Sequence, residues 1–264
     1  MVFFATVLDY YLKHRDAERV LNISHPELRT VLMRMEMPKT ETNIETGKNC
    51  SIEKTLPKFT ADWLKNYVPT FRYEPGKFPN FDEWKKESRK KVLGCLGYPP
   101  PFTFFRPELI TEEDRESYIA RKLALNISEW ERIPAYLLIP KGTPPFPAVV
   151  CLHDHGAHFS IGKEKVVHPI AESKEVVDDA IDWINKYYGG KFIGDELAKR
   201  GYVVLAIDSL FWGSRQECGG SNYKNQQRLG SNIFHVGTSW LGIITWDDIR
   251  SVAFLKSLPE VDGD

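Results

Sequence analysis

The sequence predicts an α/β fold, with an antiparallel hairpin and buried parallel strands flanked by helices, behind a helical N-terminal extension. Three observations predict it. Residues 117–127 (SYIARKLALNI) and 132–140 (RIPAYLLIP) show partial apolar alternation with β-branched and aromatic residues, on either side of a short polar turn from Ser128 to Glu131. That is the pattern of an antiparallel pair. PAVVCLH at 147–153 and YVVLAID at 202–208 are short continuous apolar runs, as expected of strands buried on both faces of a mostly parallel sheet. Between them lies a long insertion of helical pattern, VVDDAIDWINKYY and then GDELAKRG ending on Gly201. Strand, helix, strand makes a βαβ unit, expected to be right-handed.

The remaining elements follow in chain order. Helix-like segments at 2–20, 25–36, 59–67 and 80–94 are separated by polar or proline-containing breaks; in the last, Asn80 is placed to N-cap and Gly94 to stop the helix. The linker GYPPPFTFFRPE then ends helical pattern, because three consecutive prolines remove donors and fix φ. This divides the chain into a helical extension, 1–97, and an α/β domain, 98–264. A final helix is predicted from Thr238 to Ser257, with Leu241, Ile244, Val252 and Leu255 as its apolar stripe and Pro259 beyond its end.

Bulk properties exclude several function classes. With 35 basic and 36 acidic side chains and a net charge of -1, no global field favours nucleic acid or an anionic membrane. Cys50, Cys95, Cys151 and Cys218 form no CxxC pair, so neither a zinc knuckle nor a disulfide framework is expected. The opening run MVFFATVLDYYL is interrupted by Asp9 and lacks a basic leader or a cleavage site. A cytoplasmic protein with free thiols is expected, and no stretch approaches the roughly 18 apolar residues of a membrane span.

Four strings in fixed order bear on function: LHDHGAHFSIGKEK (152–165), DELAKRGYVVLAID (195–208), LFWGSR (210–215) and GIITWDDIRSVAFLKSLPEVD (242–262). Together they resemble the acetyl xylan esterase and dienelactone-hydrolase-like branch of the α/β-hydrolases, over roughly residues 115–264. The resemblance implies a sheet whose His-Gly-rich loop supplies half of an oxyanion hole from backbone N–H groups, here His155 or Gly156. It implies a small carboxylic ester as substrate and no cofactor. It also implies that a Gly-x-Ser-x-Gly turn follows the Pro259–Asp262 segment, so that the nucleophile, the acid and the final histidine are expected beyond Asp264. On that reading the chain is inactive alone, with PAVVCLH left at an unpaired sheet edge, until completed by a C-terminal half or a complementing chain; a homo-oligomer is the further partner considered. The alternative is a non-catalytic binding or assembly module that keeps the front of the fold.

No serine within the chain substitutes for the missing one. In Gly237-Thr238-Ser239-Trp240-Leu241-Gly242 the second glycine falls one position late, and Thr238 or Ser239 reads as a helix N-cap. Ser221 lacks the second glycine altogether. His153, Asp154, His155 and His158 raise the question of a metal, but the histidines lie along an extended segment with no distant ligands to complete four-coordination, so none is expected. Phe159, Phe211 and Trp212 fall near the C-terminal ends of the parallel strands, as pocket walls or as core. Asp208 is expected to cap the turn after its strand, with substrate contact as the alternative, and Arg215 to pair with Asp208 or with an acid of the last helix; Asp247, Asp248 and Arg250 are expected on a solvated or salt-bridged helix face.

Overall fold

The computed structural model describes residues 56–97 and 99–263. The helices expected at 2–20 and 25–36 and the thiol of Cys50 lie outside the described residues. The chain divides after Thr70 into two compact units. Of the first, α1 (Leu56–Asn66) is a helix. Phe59, Trp63 and Tyr67 follow at four-residue spacing, with ring centroids 6.5 and 6.3 Å apart.

The second unit opens with α2 (Phe81–Cys95), whose N-cap Asn80 accepts from the Glu83 N–H at 2.9 Å. The sheet follows. The hairpin forms as predicted: β2 (Tyr118–Asn126) and β3 (Arg132–Pro140) pair antiparallel from Asn126↔Arg132 to Tyr118↔Pro140. A strand that the sequence pattern did not mark, β1 (Glu108–Arg115), precedes them as the outer edge. Its segment, ELITEEDR, is too polar for either periodicity, yet charge suits an edge, where it discourages pairing with other chains. Glu112 meets Arg121 across the β1–β2 ladder at 2.7 Å.

β4 (Ala148–Cys151) and β5 (Val203–Ile207) pair in parallel, and the sheet order is β1-β2-β3-β5-β4. β5 lies between β3 and β4 and is buried throughout, with Val203, Leu205 and Ile207 on one face and Val204 and Ala206 on the other. β4, expected to be equally buried, is only half-buried at Ala148, Val149 and Val150, and Leu152 just beyond it is exposed. The cause is its place at the edge of the sheet. That edge carries one further parallel bridge, Phe146↔Val261, with the Phe146 N–H donating to the Glu260 carbonyl and the Asp262 N–H to the Phe146 carbonyl, both at 2.8 Å.

The insertion between β4 and β5 holds α3 (Lys174–Tyr187) and α4 (Ile193–Ala198). Val166, Val167, Ile170 and Ala198 cover one face of the sheet. The other face is covered by Phe254 and Leu255 of α6 (Trp240–Lys256). Each fully buried aliphatic side chain in these layers stabilises by about 1.5–3 kcal/mol. α5 (Tyr223–His235) also went unmarked in the sequence: it buries only Gln226 and Ile233. Among the described residues, no helix is long and apolar enough to cross a membrane.

Candidate active site

β4 delivers the chain into the loop from Leu152 to Lys165 at the C-terminal edge of the sheet. Gly156 and Ala157 both have positive φ, +50° and +54°. Any side chain at Gly156 would collide, since a Cβ there would lie 2.4 Å from Trp183 Cζ2 and 2.5 Å from Asp154 Oδ1. The His155 ring is fixed at both nitrogens. Nδ1 accepts from the Ala157 N–H at 3.0 Å, which leaves Nε2 as the ring's donor toward Gln226 Oε1 at 3.3 Å. The backbone N–H groups of His155 and Gly156 donate to no described residue, and both residues are exposed. Trp183, Tyr187 and Tyr188 of the insertion form, with Asp154 and Gly156, a cleft of about 420 Å3 beside this loop.

The other histidines serve the loop's shape. Ser209 N–H donates to His153 Nε2 at 3.0 Å, so the ring proton sits on Nδ1 and is donated to the Asp154 carbonyl at 2.9 Å. Burial pushes the His153 imidazole below its ordinary range, with the hydrogen bond to Asp154 and the Asp208 charge opposing. His158 Nε2 lies 2.6 Å from Asp179 Oδ1 and 3.0 Å from Ser160 Oγ, while Ser160 Oγ donates to Asp179 Oδ2 at 2.6 Å. These three residue types are those of a hydrolytic triad, and sequence reasoning passed over them. Their geometry is different: a triad places acid and hydroxyl on opposite ring nitrogens, whereas here both meet Nε2 and the hydroxyl proton goes to the carboxylate. The cluster ties the loop to α3. Ser239 is the N-cap of α6, accepting from the Gly242 N–H at 2.9 Å.

Asp208 sits at the end of β5, fully buried, and its carboxylate accepts from Lys163 N (2.7 Å), Lys163 Nζ (2.9 Å), Ser214 N (2.9 Å) and Ser214 Oγ (2.7 Å). It binds the following turn through Ser214 and also clamps the 3-10 turn Lys163–Lys165 across from it. Burial alone pushes this carboxyl up, but the Lys163 charge and the hydrogen bonds from Lys163 and Ser214 outweigh it and hold it below its ordinary range. Glu164, 2.6 Å from the same ammonium, goes the other way, raised by burial and by the Asp208 charge.

Arg215 contacts Asp208 only through the backbone carbonyl, at 3.0 Å; its ion pairs are with Asp247 of α6 at 2.9 Å and, two-pronged, with Glu131 at 2.8 and 2.5 Å. Asp247 is therefore a buried partner, while Arg250 donates to the carbonyls of Ile127 and Thr103. Phe159, Phe211 and Trp212 come together as a buried cluster with Leu229 and Trp240. Trp130, Leu210, Val236, Ile243 and Trp246 line a separate apolar cleft of about 510 Å3.

Residues 58–264 match the Abhydrolase family. The chain belongs to that family. This abhydrolase is 27% identical over 181 residues to the Bacillus subtilis (strain 168) protein named "Putative hydrolase YtaP", covering 68% of the chain and 54% of the relative. Its fold matches a structure from Bacteroides fragilis NCTC 9343, described as a putative acetyl xylan esterase, with a TM-score of 0.63 at 20% identity over 78% of this chain and 52% of that one. The chain thus spans about half the length of both proteins.

One acid of the abhydrolase's last helix is tuned into the neutral range. Burial, then the neighbouring Asp247 charge, with Arg215 opposing, push the half-buried Asp248 carboxyl up to about 6 from its ordinary 3.8. As pH rises the unfolded chain ionises there first, so this contribution to stability is fully present below about pH 4 and is lost as pH rises through about 6. Asp248→Asn is expected to add about 1–2 kcal/mol at pH 7.5, the figure being discounted for partial exposure. Urea titrations of both proteins from pH 4 to 8 test it; a difference that does not grow between pH 4 and 6 excludes the assignment.

Proposed function

We propose that the chain is part of a serine carboxylic-ester hydrolase, to which it contributes one half of the oxyanion hole and part of the pocket wall. The observation that carries the reading is the exposed pair His155 and Gly156, whose N–H groups donate to no described residue, on a glycine-dependent loop at the C-terminal end of a parallel strand, the edge where open α/β sheets bind ligands. The likeness to a fold described as an acetyl xylan esterase supports it. A serine attacks the ester carbonyl, the N–H donors stabilise the tetrahedral oxyanion, the alcohol leaves, and water releases the acid from the acyl-enzyme. Phe159, Phe211 and Trp212 shape the pocket from behind the loop, Trp212 through its 3.2 Å hydrogen bond to the His155 carbonyl.

The nucleophile, its acid and its histidine belong, in this proposal, to residues outside 1–264. The engaged geometries of Ser160 and Ser239 support that placement. Thiols at Cys95, Cys151 and Cys218 are free, which fits a reducing, cytoplasmic setting. The complete protein should hydrolyse p-nitrophenyl acetate and take up a fluorophosphonate label, with the labelled serine found by peptide mass spectrometry outside residues 1–264; the chain alone should do neither. A label on Ser160 or Ser239 overturns the placement, and a complete protein with neither turnover nor label overturns the esterase reading.

A further inference from the structure

We infer that Lys165 is a positioning residue of the oxyanion loop: from behind the loop its ammonium holds two successive carbonyls and so turns the two N–H groups of the same peptides toward the substrate side. The inference rests on the esterase reading above.

Lys165 has a fully buried side chain. Its Nζ donates to the Asp154 carbonyl at 3.1 Å and to the His155 carbonyl at 3.3 Å. Two other donors reinforce the same carbonyls, His153 Nδ1 on Asp154 at 2.9 Å and Trp212 Nε1 on His155 at 3.2 Å. Both peptide bonds are trans, and in a trans peptide C=O and N–H point in opposite directions. The peptide that carries the Asp154 carbonyl carries the His155 N–H; the next carries the His155 carbonyl and the Gly156 N–H. Drawing both carbonyls inward therefore turns both N–H groups outward, where neither donates to a described residue.

The ammonium is committed to this task by its surroundings. Its nearest carboxylate oxygen, Asp154 Oδ1, is 3.8 Å away, beyond hydrogen-bond distance, and that side chain is itself held by Tyr188 OH at 2.6 Å and Trp183 Nε1 at 3.3 Å. Trp183 also presents its ring face 4.9 Å from Nζ. Burial pushes the Lys165 ammonium below its ordinary range against the pull of Asp154, Asp179, Asp208 and Glu164. A buried lysine whose hydrogen bonds go to backbone carbonyls, with a looser 3.8 Å ion pair to Asp154 beside them, is a device for fixing peptide orientation.

The test is steady-state ester hydrolysis by the complete protein together with crystal structures. Lys165→Met is expected to lower kcat about 100-fold, the loss seen on removing an oxyanion donor, while KM stays nearly constant because the ground-state ester does not use the hole. In the crystal structure of the variant the Asp154 and His155 carbonyls should rotate. Trp212→Phe, which removes the second donor to the His155 carbonyl, is expected to lower kcat by a smaller factor, and if Lys165→Met fails to fold, rotation of the His155 carbonyl in the Trp212→Phe crystal structure separates loss of this hydrogen bond from loss of pocket wall. An unchanged kcat, or a rise in KM alone, overturns the inference. If the wild-type protein hydrolyses no ester, the esterase reading has failed, and the positioning claim stands or falls on whether the carbonyls rotate.

Discussion

Replacing Asp208 by alanine should destabilise the chain by about 3–5 kcal/mol, the cost of leaving a buried charge without its partner. Of the four donors around the carboxylate, three, Lys163 N, Ser214 N and Ser214 Oγ, have no other acceptor among the described residues. Lys163 Nζ would retain only Glu164, whose carboxyl burial pushes toward its neutral form, while the N–H groups of Lys163 and Ser214 would lose their acceptor. Relaxation is restricted, because Gly213, at φ +51°, runs so close that a Cβ on it would lie 2.6 Å from Asp208 Oδ1. The defect should shrink when the stranded charge is removed too: Asp208→Ala with Lys163→Met is expected to be less unstable than the two single losses added together. Urea unfolding of the four proteins in the cycle measures this; strict additivity, or a single-variant loss below about 1 kcal/mol, would show that the pair is not the clamp described.

What the sequence made legible and what it hid separate along one physical line. The β2–β3 hairpin and β5 were readable because their burial follows from local pattern: β2 alternates buried with half-buried positions, β3 is mostly buried and β5 is buried throughout, and the residues say so. β1 and α5 were not, because ELITEEDR lies at an edge and YKNQQRLGSNIFH buries little, so neither needs an apolar face. The stripe read on α6 was misplaced for a related reason. Leu241 and Val252 are exposed and Ile244 is half-buried; of the stripe Leu255 alone is buried, beside Gly242, Asp247, Ser251 and Phe254. An acid appears on the inner face because Arg215, from a distant turn, needs a counter-charge there. The same holds in the loop. His155 and Gly156 could be singled out from their motif, but nothing in the pattern marked Lys163 and Lys165, only a few residues on. Their burial is set by Asp208, 45 residues from Lys163, and by carbonyls whose directions no spacing rule encodes.

Arg215→Met should cost about as much as the loss of Asp208, again about 3–5 kcal/mol, since it strands the buried Asp247 carboxylate and also releases the partly exposed Glu131. The side chain is nearly fully buried and joins three parts of the chain: the β2–β3 turn through Glu131, the turn after β5 through the Asp208 carbonyl, and α6 through Asp247. Lysine should not rescue it, because one ammonium cannot reproduce a two-pronged grip on Glu131 together with bonds to Asp247 and a carbonyl. The pH dependence supplies the sharper test. Burial already pushes the Asp247 carboxyl up, and Arg215 is the group that holds it down. With the guanidinium gone, the folded protein should prefer Asp247 protonated, so the variant's stability is retained at low pH and lost as pH rises through the new, higher value. The penalty measured against wild type should therefore be larger at pH 8 than at pH 5, and Asp247→Asn in the Arg215→Met background should recover part of it at pH 8 only. A penalty equal at both pH values would mean that Arg215 acts through its packing and its bond to the Asp208 carbonyl, and that the charges of Glu131 and Asp247 are screened by water.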